Sequence, residues 1–383
     1  MSSLDLDSAE RVFAQSTDLT VGIEEEFAIL DPRSLALAQR YEELRARAGA
    51  TDAVLGEHLT GELIASEIEI VSGRGENLAD ALERQRDRRR RLFALTDREG
   101  ALLGATGTHP WADYREQPII DTEHYRRVEQ GLQYVARRNN TFSLHVHVGV
   151  RGADRAVKVC DRLREELPLL LALSANSPFL DGVHSGLHSA RTQSFTKSFP
   201  RCGVPDAFGG WGAYREYIEL LRATASIVEF TQVWWSVRPH FEFGTVEVRV
   251  CDVQATAGES DALASLIVAC VAQAMRDIDD GVPHSALPAR LIEENLWRAV
   301  RYGLDGRMVD WERAEQYEAR AIAERLLHWT EPVRSELGSE PAFPERNGAQ
   351  RQRAMLEAGA TIEDVFAASV RETQSTYAEE VAA

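Results

Sequence analysis

Several short segments of the chain alternate between apolar and polar residues, a pattern typical of strands with one buried face. The clearest is the segment 142–150, FSLHVHVGV, in which apolar residues occupy every second position. Successive side chains leave a strand on opposite faces, so Ser143, His145 and His147 share the other face. The pattern predicts a half-buried strand that displays two imidazole rings into one volume. Two histidines on an outer polar face would be the alternative.

A second alternating segment covers residues 243–252 and has valines on one face. The opposite face carries Thr245, Glu247, Arg249 and Cys251. A strand that places a glutamate beside an arginine offers a cation ligand next to a fixed positive group. An ion pair on an outer sheet face would show the same pattern, so this segment is weak evidence for a site when taken alone.

The segment 21–30, VGIEEEFAIL, places three consecutive glutamates inside an apolar run. In a strand, Glu24 and Glu26 share one face, and Glu25 points to the other. Carboxylates in such a run require a positive partner, because an unpaired charge is costly to remove from water. We therefore expect either a shared site for hard cations such as Mg²⁺ or salt bridges at an exposed strand end.

A second acid-bearing strand is predicted within residues 61–73, GELIASEIEIVSG. Its isoleucines would face a core, and Glu67 and Glu69 would share the opposite face. Residues 101–106 form a further short candidate strand, which leads into the loop sequence GTHPW. The first half of the chain therefore supplies most of the predicted sheet.

Helical periodicity covers much of the remaining chain, most continuously after residue 259. The predicted helices span residues 41–48, 77–96, 124–138, 155–166, 168–176, 214–228, 259–278, 291–302, 313–329, 350–358 and 362–376. The arginine-rich run 86–91 is interpreted as the solvated face of its helix. The stretch 177–212 is rich in turn formers and is predicted to be a binding loop or lid. The pattern indicates an α+β fold, with strands mainly within residues 18–255 and a helical part over 259–378.

The chain has 383 residues and a formal net charge of −18, which argues against a nucleic-acid partner. Lys158 and Lys197 are its two lysines, and neither lies in a GxxxxGK[ST] sequence, which excludes a P-loop. No secretory signal or membrane-spanning apolar run is recognisable. The four cysteines show no CxxC spacing. We expect a cytoplasmic protein without a membrane partner.

Four predicted strands thus carry glutamate, histidine or arginine opposite an apolar face. If these polar faces belong to one sheet, they converge on a single trough. A high density of carboxylate oxygens with one or two imidazoles suits Mg²⁺ or Mn²⁺ better than Zn²⁺. Divalent ions beside an arginine are what phosphoryl transfer from ATP requires, because the charge on the moving group has to be neutralised.

Eight short sequences occur in the order and at roughly the separations found in one known family. They are GIEEEF, ELIASEIE, GTHP, LHVHVG, SANSPF, WWSVRP, GTVEVRVCD and ENLWRAVRYG. In this respect the chain resembles the carboxylate-amine ligases of the glutamate-cysteine ligase type 2 family. The resemblance spans nearly the whole chain and implies a single catalytic domain over residues 1–383. It also implies a glutamine synthetase-like fold, in which a curved, mainly antiparallel sheet forms an active-site funnel with helices on its outer face.

The resemblance implies a reaction as well. ATP would activate a carboxylate, typically the γ-carboxylate of glutamate, as an acyl phosphate. An amine, cysteine in the best known cases, would then attack to form an amide and release phosphate. The expected partners are small-molecule substrates, and a homodimer is what the resemblance suggests.

Roles for particular residues follow from the same resemblance. Candidate metal ligands are Glu24, Glu26, Glu62, Glu69, His145 and Glu247. Candidate catalytic residues are Glu247 and Arg249, and candidate nucleotide contacts are His147 and Arg249. In the segment ENLWRAVRYG, Arg301 is either a structural helix residue or a further candidate contact for the nucleotide phosphates or the substrate. In the loop HSARTQSF, Arg191 is a candidate clamp for a substrate carboxylate or, alternatively, an ordinary surface arginine.

The second acid pair is open to two interpretations. Strand alternation pairs Glu67 with Glu69, whereas the family spacing pairs Glu62 with Glu69, which requires a turn or bulge between them.

The function also has alternatives. One is a metal-dependent hydrolase that uses the histidine pair and the acids to activate water. Another is a nucleotide-binding regulatory homologue, although the acids and the arginine of the motifs are all present.

Overall fold

The protein is described by a computed structural model over residues 4–379. Its strands in chain order are β1 Val21–Leu30, β2 Leu59–Thr60, β3 Glu67–Val71, β4 Leu102–Gly104, β5 Ser143–Gly149, β6 Phe179–Leu180, β7 Val183–His184, β8 Cys202–Gly203, β9 Trp234–Trp235, β10 Val237–His240, β11 Thr245–Asp252, β12 Arg307–Asp310 and β13 Glu315–Glu318. The alternating segments of the sequence therefore form strands, as predicted.

Helices occupy most of the remaining described chain. In order they are α1 Leu6–Gln15, α2 Tyr41–Thr51, α3 Ala53–His58, α4 Leu78–Arg98, α5 Glu123–Leu132, α6 Tyr134–Arg137, α7 Ala153–Leu163, α8 Leu167–Ser174, α9 Ala190–Ser194, α10 Trp211–Ala223, α11 Ala257–Asp279, α12 Ala289–Tyr302, α13 Ala319–Leu337, α14 Gly348–Glu357 and α15 Ile362–Glu379. Short 3₁₀ turns lie at Tyr114–Glu116, Phe230–Gln232 and Gly303–Asp305. Among these helices, α1, α3 and α9 were not predicted from the sequence, and α9 lies in the stretch 177–212 that was predicted to be a loop or lid.

Within residues 4–379, seven strands form one antiparallel sheet. The strand order is β10-β11-β5-β1-β3-β2, and β4 pairs with the end of β1. The apolar side chains of β5 and β11 pack in one core with α7, α8, α11 and the first residues of β1 and α4. Those of β3 and the later part of β1 pack in another core with the later part of α4 and α15. The predicted α+β fold, with a mainly antiparallel sheet and helices packed on it, is confirmed.

The alternation of β11 is interrupted near its end by a β-bulge. Val248 pairs with Val146, but Cys251 rather than Val250 pairs with Leu144, so one extra residue lies in β11. The extra residue moves Cys251 to the buried, apolar side, where it joins the core. The prediction that Cys251 shares a face with Glu247 and Arg249 is therefore wrong.

The arginine-rich run of α4 is not a uniformly solvated face, and that prediction is wrong for Arg89. The side chain of Arg89 is fully buried, and its guanidinium group donates hydrogen bonds to both carboxylate oxygens of Glu25, at 2.7 and 2.9 Å. A third bond, of 2.7 Å, goes to Asp261. Glu25 points away from Glu24 and Glu26, as predicted, and Arg89 is its positive partner.

The predicted helix over residues 313–329 is wrong at its start. Residues Glu315–Glu318 form β13, which pairs with β12 as a hairpin, and the helix begins at Ala319. Ala314 adopts a φ of 54°, a left-handed conformation that reverses the chain and is incompatible with a continuous helix.

No helix in the described part of the chain has the length and apolar character needed to cross a bilayer.

Candidate active site

The polar faces of β1, β3, β5 and β11 form one trough, because the sheet register sets their side chains opposite one another. Glu24 pairs with His145, and Glu26 pairs with Glu69. Across the next interface, His147 pairs with Glu247. These residues come from four strands, and the predicted convergence of the polar faces on one sheet is therefore observed.

Three cavities follow one another along β1. The Phe243 cavity, of about 880 Å³, lies beside Val21–Glu24 and is lined in addition by His147 and Phe243. The Glu247 cavity, of about 660 Å³, contains Glu24 and Glu247. The Arg191 cavity, of about 590 Å³, contains Glu26 and Arg191. The cavities share wall residues, so they form one continuous trough.

Carboxylate and imidazole groups in the trough form three overlapping sets whose ligand atoms lie within 4.8 Å of one another. The sets are Glu24–His147–Glu247, Glu24–Glu69–His145 and Glu26–Glu62–Glu69. The buried Nε2 atom of His147 has no hydrogen-bond partner among the described residues, although Glu24 and Glu247 lie 3.2 and 3.7 Å away. An unpartnered imidazole nitrogen between two carboxylates fits a divalent cation.

The acids of the third set also fit a cation, because Glu26 and Glu69 are buried and the half-buried Glu62 lies close to both. Burial, reinforced by the neighbouring Glu26, raises the pKa of Glu62 to about 8. Burial and the neighbouring Glu24 raise the pKa of Glu69 well above its usual range. Adjacent buried carboxylates cannot all be ionised without a compensating positive charge. Oxygen-rich sets of this kind suit Mg²⁺ or Mn²⁺.

The acids of the first set are held in the charged form instead. Burial raises the pKa of Glu24, but His147 and His145 outweigh this effect, so its pKa lies well below the usual range. Burial likewise opposes ionisation of Glu247, yet Arg238 and Arg249 lower its pKa well below the usual range. These two carboxylates can therefore bind a cation over the whole neutral pH range.

Two arginines flank Glu247 on adjacent strands. Arg249 lies two residues along β11 and forms an ion pair with Glu247. Arg238, on β10, pairs with Glu247 in the sheet register, and its Nε donates a 2.6 Å hydrogen bond to the carboxylate. Sequence reasoning missed Arg238, although it lies in the quoted motif WWSVRP. In the sequence, Arg238 is a single charged residue in a short segment that contains a proline, and this pattern is a weak indication of a site.

Ser143 fixes the position of Glu26. Its backbone N–H and its hydroxyl donate hydrogen bonds of 2.5 and 2.6 Å to one oxygen of the Glu26 carboxylate. The Ser143 hydroxyl also lies 2.8 Å from the Nε2 atom of His145. The second Glu26 oxygen accepts neither of these two bonds.

The turn that the family spacing requires between Glu62 and Glu69 is present. β2 ends at Thr60 and β3 begins at Glu67, so Glu62 lies in the connecting segment and reaches the trough from there. Glu67 also lines the Arg191 cavity, but it belongs to none of the three sets of candidate ligands. The geometry thus favours Glu62 over Glu67 as the companion of Glu69.

Arg191 lies inside the site and is almost fully buried. Its two terminal nitrogens donate hydrogen bonds of 3.1 and 3.2 Å to the backbone carbonyl oxygens of Val250 and Arg249. The Nε–H group has no partner among the described residues. By contrast, Arg301 donates to the carbonyl oxygen of Gly186 and lines none of the three cavities. The structure does not bring Arg301 to the trough.

Comparison with known proteins agrees with this geometry. The family model of glutamate-cysteine ligase family 2 matches residues 20–377. A protein of Rubrobacter xylanophilus, provisionally named glutamate–cysteine ligase 2-2, is 38% identical over 358 residues, which are 93% of this chain and 92% of that protein. A Solibacter usitatus protein, provisionally named glutamate–cysteine ligase 2, is 37% identical over 363 residues, or 93% and 94% of the two chains.

Solved structures show the same fold. Glutamate–cysteine ligase from Francisella tularensis in complex with AMP superimposes with a TM-score of 0.64 at 12% identity, over 94% of this chain and 90% of that one. A bifunctional glutathione synthetase from Pasteurella multocida gives a TM-score of 0.67 at 13% identity, over 98% of this chain. The chain spans about half the length of the latter enzyme, 54% of it.

The antiparallel sheet, its trough of carboxylates, imidazoles and arginines and the family match together define an ATP-dependent ligase that forms amide bonds. The chain belongs to glutamate-cysteine ligase family 2.

The pKa of Glu62 leads to a first prediction. Because a cation must displace the proton that Glu62 holds below about pH 8, Mg²⁺ affinity should rise with pH up to that value and then level off. The expected slope is up to about tenfold for each pH unit and each proton released. Calorimetric Mg²⁺ titrations over a pH series measure it. The control is Glu62→Gln, whose amide has no proton to release, so its slope should be smaller. A Mg²⁺ affinity that ignores pH would contradict the prediction.

Proposed function

We propose that the protein activates the γ-carboxylate of glutamate with ATP and joins the resulting acyl group to an amine. The observation that carries this proposal is the meeting of Glu26, Glu62 and Glu69 with Arg249 in one trough. Such an arrangement supplies both cation ligands and a guanidinium group for a moving phosphoryl group. We propose that the strands and helices act as one catalytic unit, and a homodimer remains the expected assembly.

The reaction would proceed in two balanced steps. A carboxylate oxygen of the acid forms a bond to the γ-phosphorus of ATP, and the bond to the ADP oxygen breaks as ADP leaves. The amine nitrogen then forms a bond to the acyl carbon, the carbon–oxygen bond to phosphate breaks, and the nitrogen loses a proton. Phosphate leaves with the electron pair of that broken bond.

Residues of the trough have separate tasks in this scheme. The sets Glu24–His147–Glu247 and Glu26–Glu62–Glu69 would hold divalent ions, which neutralise phosphate charge when bound. Arg249 would contact the transferred phosphoryl group. Arg238 also donates a hydrogen bond to Glu247, which helps to hold the carboxylate beside Arg249.

The nucleotide would enter from the Phe243 cavity, with its phosphates toward the Glu247 cavity. Phe243 is 58% exposed, a large fraction for a phenylalanine, and its ring stacks on His240 at 4.5 Å with an interplanar angle of 9°. An exposed aromatic face beside cation ligands is suited to stacking with a purine base. From the Phe243 cavity to the Arg191 cavity, the three cavities along β1 would then hold the base, the phosphates and the acid that accepts the phosphoryl group.

The acid substrate would occupy the Arg191 cavity. Its reacting carboxylate would lie near Glu26 and Arg249, because the phosphoryl group arrives from the Glu247 cavity. The free Nε–H of Arg191 would hold the α-carboxylate of glutamate at the other end. An acid with two carboxylates matches a cavity with these two separated positive groups.

The test is to mix the protein with ATP, Mg²⁺, glutamate and a panel of amines and to measure ADP and phosphate. We expect ADP formation that depends on both glutamate and an amine, and an amide product in equal amount. Hydrolysis of an amide or ester without ATP would instead support a metal-dependent hydrolase. ATP binding without any turnover would support a regulatory homologue.

The nucleotide placement gives a second prediction. Phe243→Ala should raise the KM for ATP roughly tenfold with little change in kcat, because base stacking on an aromatic ring is lost while the phosphate contacts remain. Steady-state kinetics with ATP as the varied substrate measure this. Tyr302→Ala removes another exposed aromatic ring, outside the trough, and should leave the KM unchanged. An unaltered KM in Phe243→Ala would place the base elsewhere.

A further inference from the structure

Glu67 is a buried acid to which the proposed reaction gives no task. The residue is 2% exposed, and its carboxyl oxygens have no hydrogen-bond or ion-pair partner among the described residues. It lines the Arg191 cavity but belongs to none of the three sets of candidate metal ligands. Buried polar groups without a partner are rare, because they lose their hydration without compensation. Glu67 therefore indicates a ligand that brings a positive, hydrogen-bond-donating group into this cavity.

A group of opposite charge lines the same cavity. Arg191 is held by the carbonyl oxygens of Val250 and Arg249, and one of its terminal nitrogens lies 3.7 Å from the Asp252 carboxylate. Its Nε–H group has no partner among the described residues. Arg191 and Glu67, both described, form no ion pair with each other, so a molecule between them can contact both. The pair fits a ligand that carries an ammonium group and a carboxylate.

The sheet register places Glu67 at a suitable distance from the reacting end of the acid. Glu26 pairs with Glu69, and Ala28, two residues further along β1, pairs with Glu67. Two residues along a strand span about 6.6 Å, and their side chains share a face. In glutamate, two methylene groups separate the γ-carboxylate from the α-carbon. With the γ-carboxylate beside Glu26, the α-carbon can therefore lie at the level of Glu67.

We infer that Glu67 binds the α-ammonium group of the acid substrate while Arg191 binds its α-carboxylate, so that the site selects an α-amino acid. This inference rests on the proposed function and assigns the residue that distinguishes glutamate from glutarate, which lacks the ammonium group. Burial raises the pKa of Glu67 well above its usual range, and an ammonium group beside it favours the ionised form. A carboxyl oxygen accepts a hydrogen bond in either protonation state.

Glutamate and glutarate form a matched pair of acids for the first measurement. With ATP, Mg²⁺ and the most active amine of the panel, kcat/KM for glutamate should exceed that for glutarate by about tenfold or more, because a charge-assisted hydrogen bond is lost with glutarate. Equal use of the two acids would overturn the inference and leave the proposed function intact. Absence of ADP formation with both acids and every amine would overturn both.

Glu67→Gln tests whether this residue causes the preference. Glutamine has nearly the same shape, and the substitution breaks no side-chain hydrogen bond among the described residues, so the fold should be kept. The KM for glutamate should rise about tenfold or more, whereas kcat/KM for glutarate and the KM for ATP should change little. Glu216→Gln, at an exposed position of α10, is the control and should change none of these values. Circular dichroism checks the fold of each variant.

Three results with folded Glu67→Gln would overturn the inference. They are an undiminished preference for glutamate, a raised KM for the amine in place of glutamate, and loss of activity with both acids. In the last two cases Glu67 would serve the amine or the phosphoryl transfer instead. Glu67→Asp keeps the carboxyl group on a shorter side chain and should retain part of the preference. It also replaces Glu67→Gln if that variant does not fold, and a full preference in Glu67→Asp would then contradict the assignment.

Discussion

Arg249→Ala is expected to lose about 10³-fold or more in amine-dependent ADP formation while the protein remains folded. The guanidinium group of Arg249 lies in the wall shared by the Glu247 and Arg191 cavities, where the phosphoryl group would move between ATP and the acid. An arginine that neutralises charge on a transferred phosphoryl group is worth about 10³ to 10⁵ in rate. Because that charge develops in the transition state, the loss should fall on kcat.

The fold should survive this substitution, because Glu247 keeps a second partner. Arg238 Nε still donates its 2.6 Å hydrogen bond to the Glu247 carboxylate. Circular dichroism and the unfolding midpoint check the fold, and Arg249→Lys tests whether charge alone suffices, since a lysine lacks the planar fork of donors. A surface control is Arg115→Ala, whose side chain is 74% exposed. Near-normal amine-dependent turnover in Arg249→Ala would remove Arg249 from the proposed chemistry.

Much of the trough could be predicted, because the alternation of residues along a strand shows which side chains share a face. Alternation alone separates Glu24 and Glu26 from Glu25, and it assigns His145 and His147 to one face. Antiparallel pairing then sets these faces side by side, as the register of β1 with β5 shows. The prediction held wherever the alternation was unbroken.

The predictions failed where the position of a residue along its strand or helix does not determine which other elements surround it. The bulge in β11 shifts Cys251 to the core, and no residue type in VEVRVCD predicts that bulge. Arg238 acts through its register with Glu247, which is a property of two strands together. Arg301 lies near the end of a helix, and its motif does not say which side of the sheet that helix covers. These three features depend on tertiary structure, which a local sequence pattern does not determine.

The buried pair of Glu25 and Arg89 shows the same limit and carries the largest expected effect on stability. The sequence showed that Glu25 needs a positive partner, yet α4 offers several arginines in succession, and periodicity did not identify the one that pairs with Glu25. Both side chains of the pair are fully buried. Ser260 also donates a hydrogen bond to Glu25, and the Tyr377 hydroxyl lies 3.4 Å from it. β1, the strand that carries Glu24 and Glu26, is thus held on its opposite face by side chains of α4, α11 and α15.

Arg89→Ala should therefore lower the free energy of unfolding by about 3–5 kcal/mol, because it leaves the Glu25 charge buried without its partner. Urea unfolding measures the change. On the same helix, Arg90→Ala removes a 38% exposed arginine paired with Asp87 and should cost less than about 1 kcal/mol. Adding Glu25→Gln to Arg89→Ala should recover part of the loss, since the uncompensated charge is gone. If Arg89→Ala were no more costly than Arg90→Ala, the pair would not hold β1 in place.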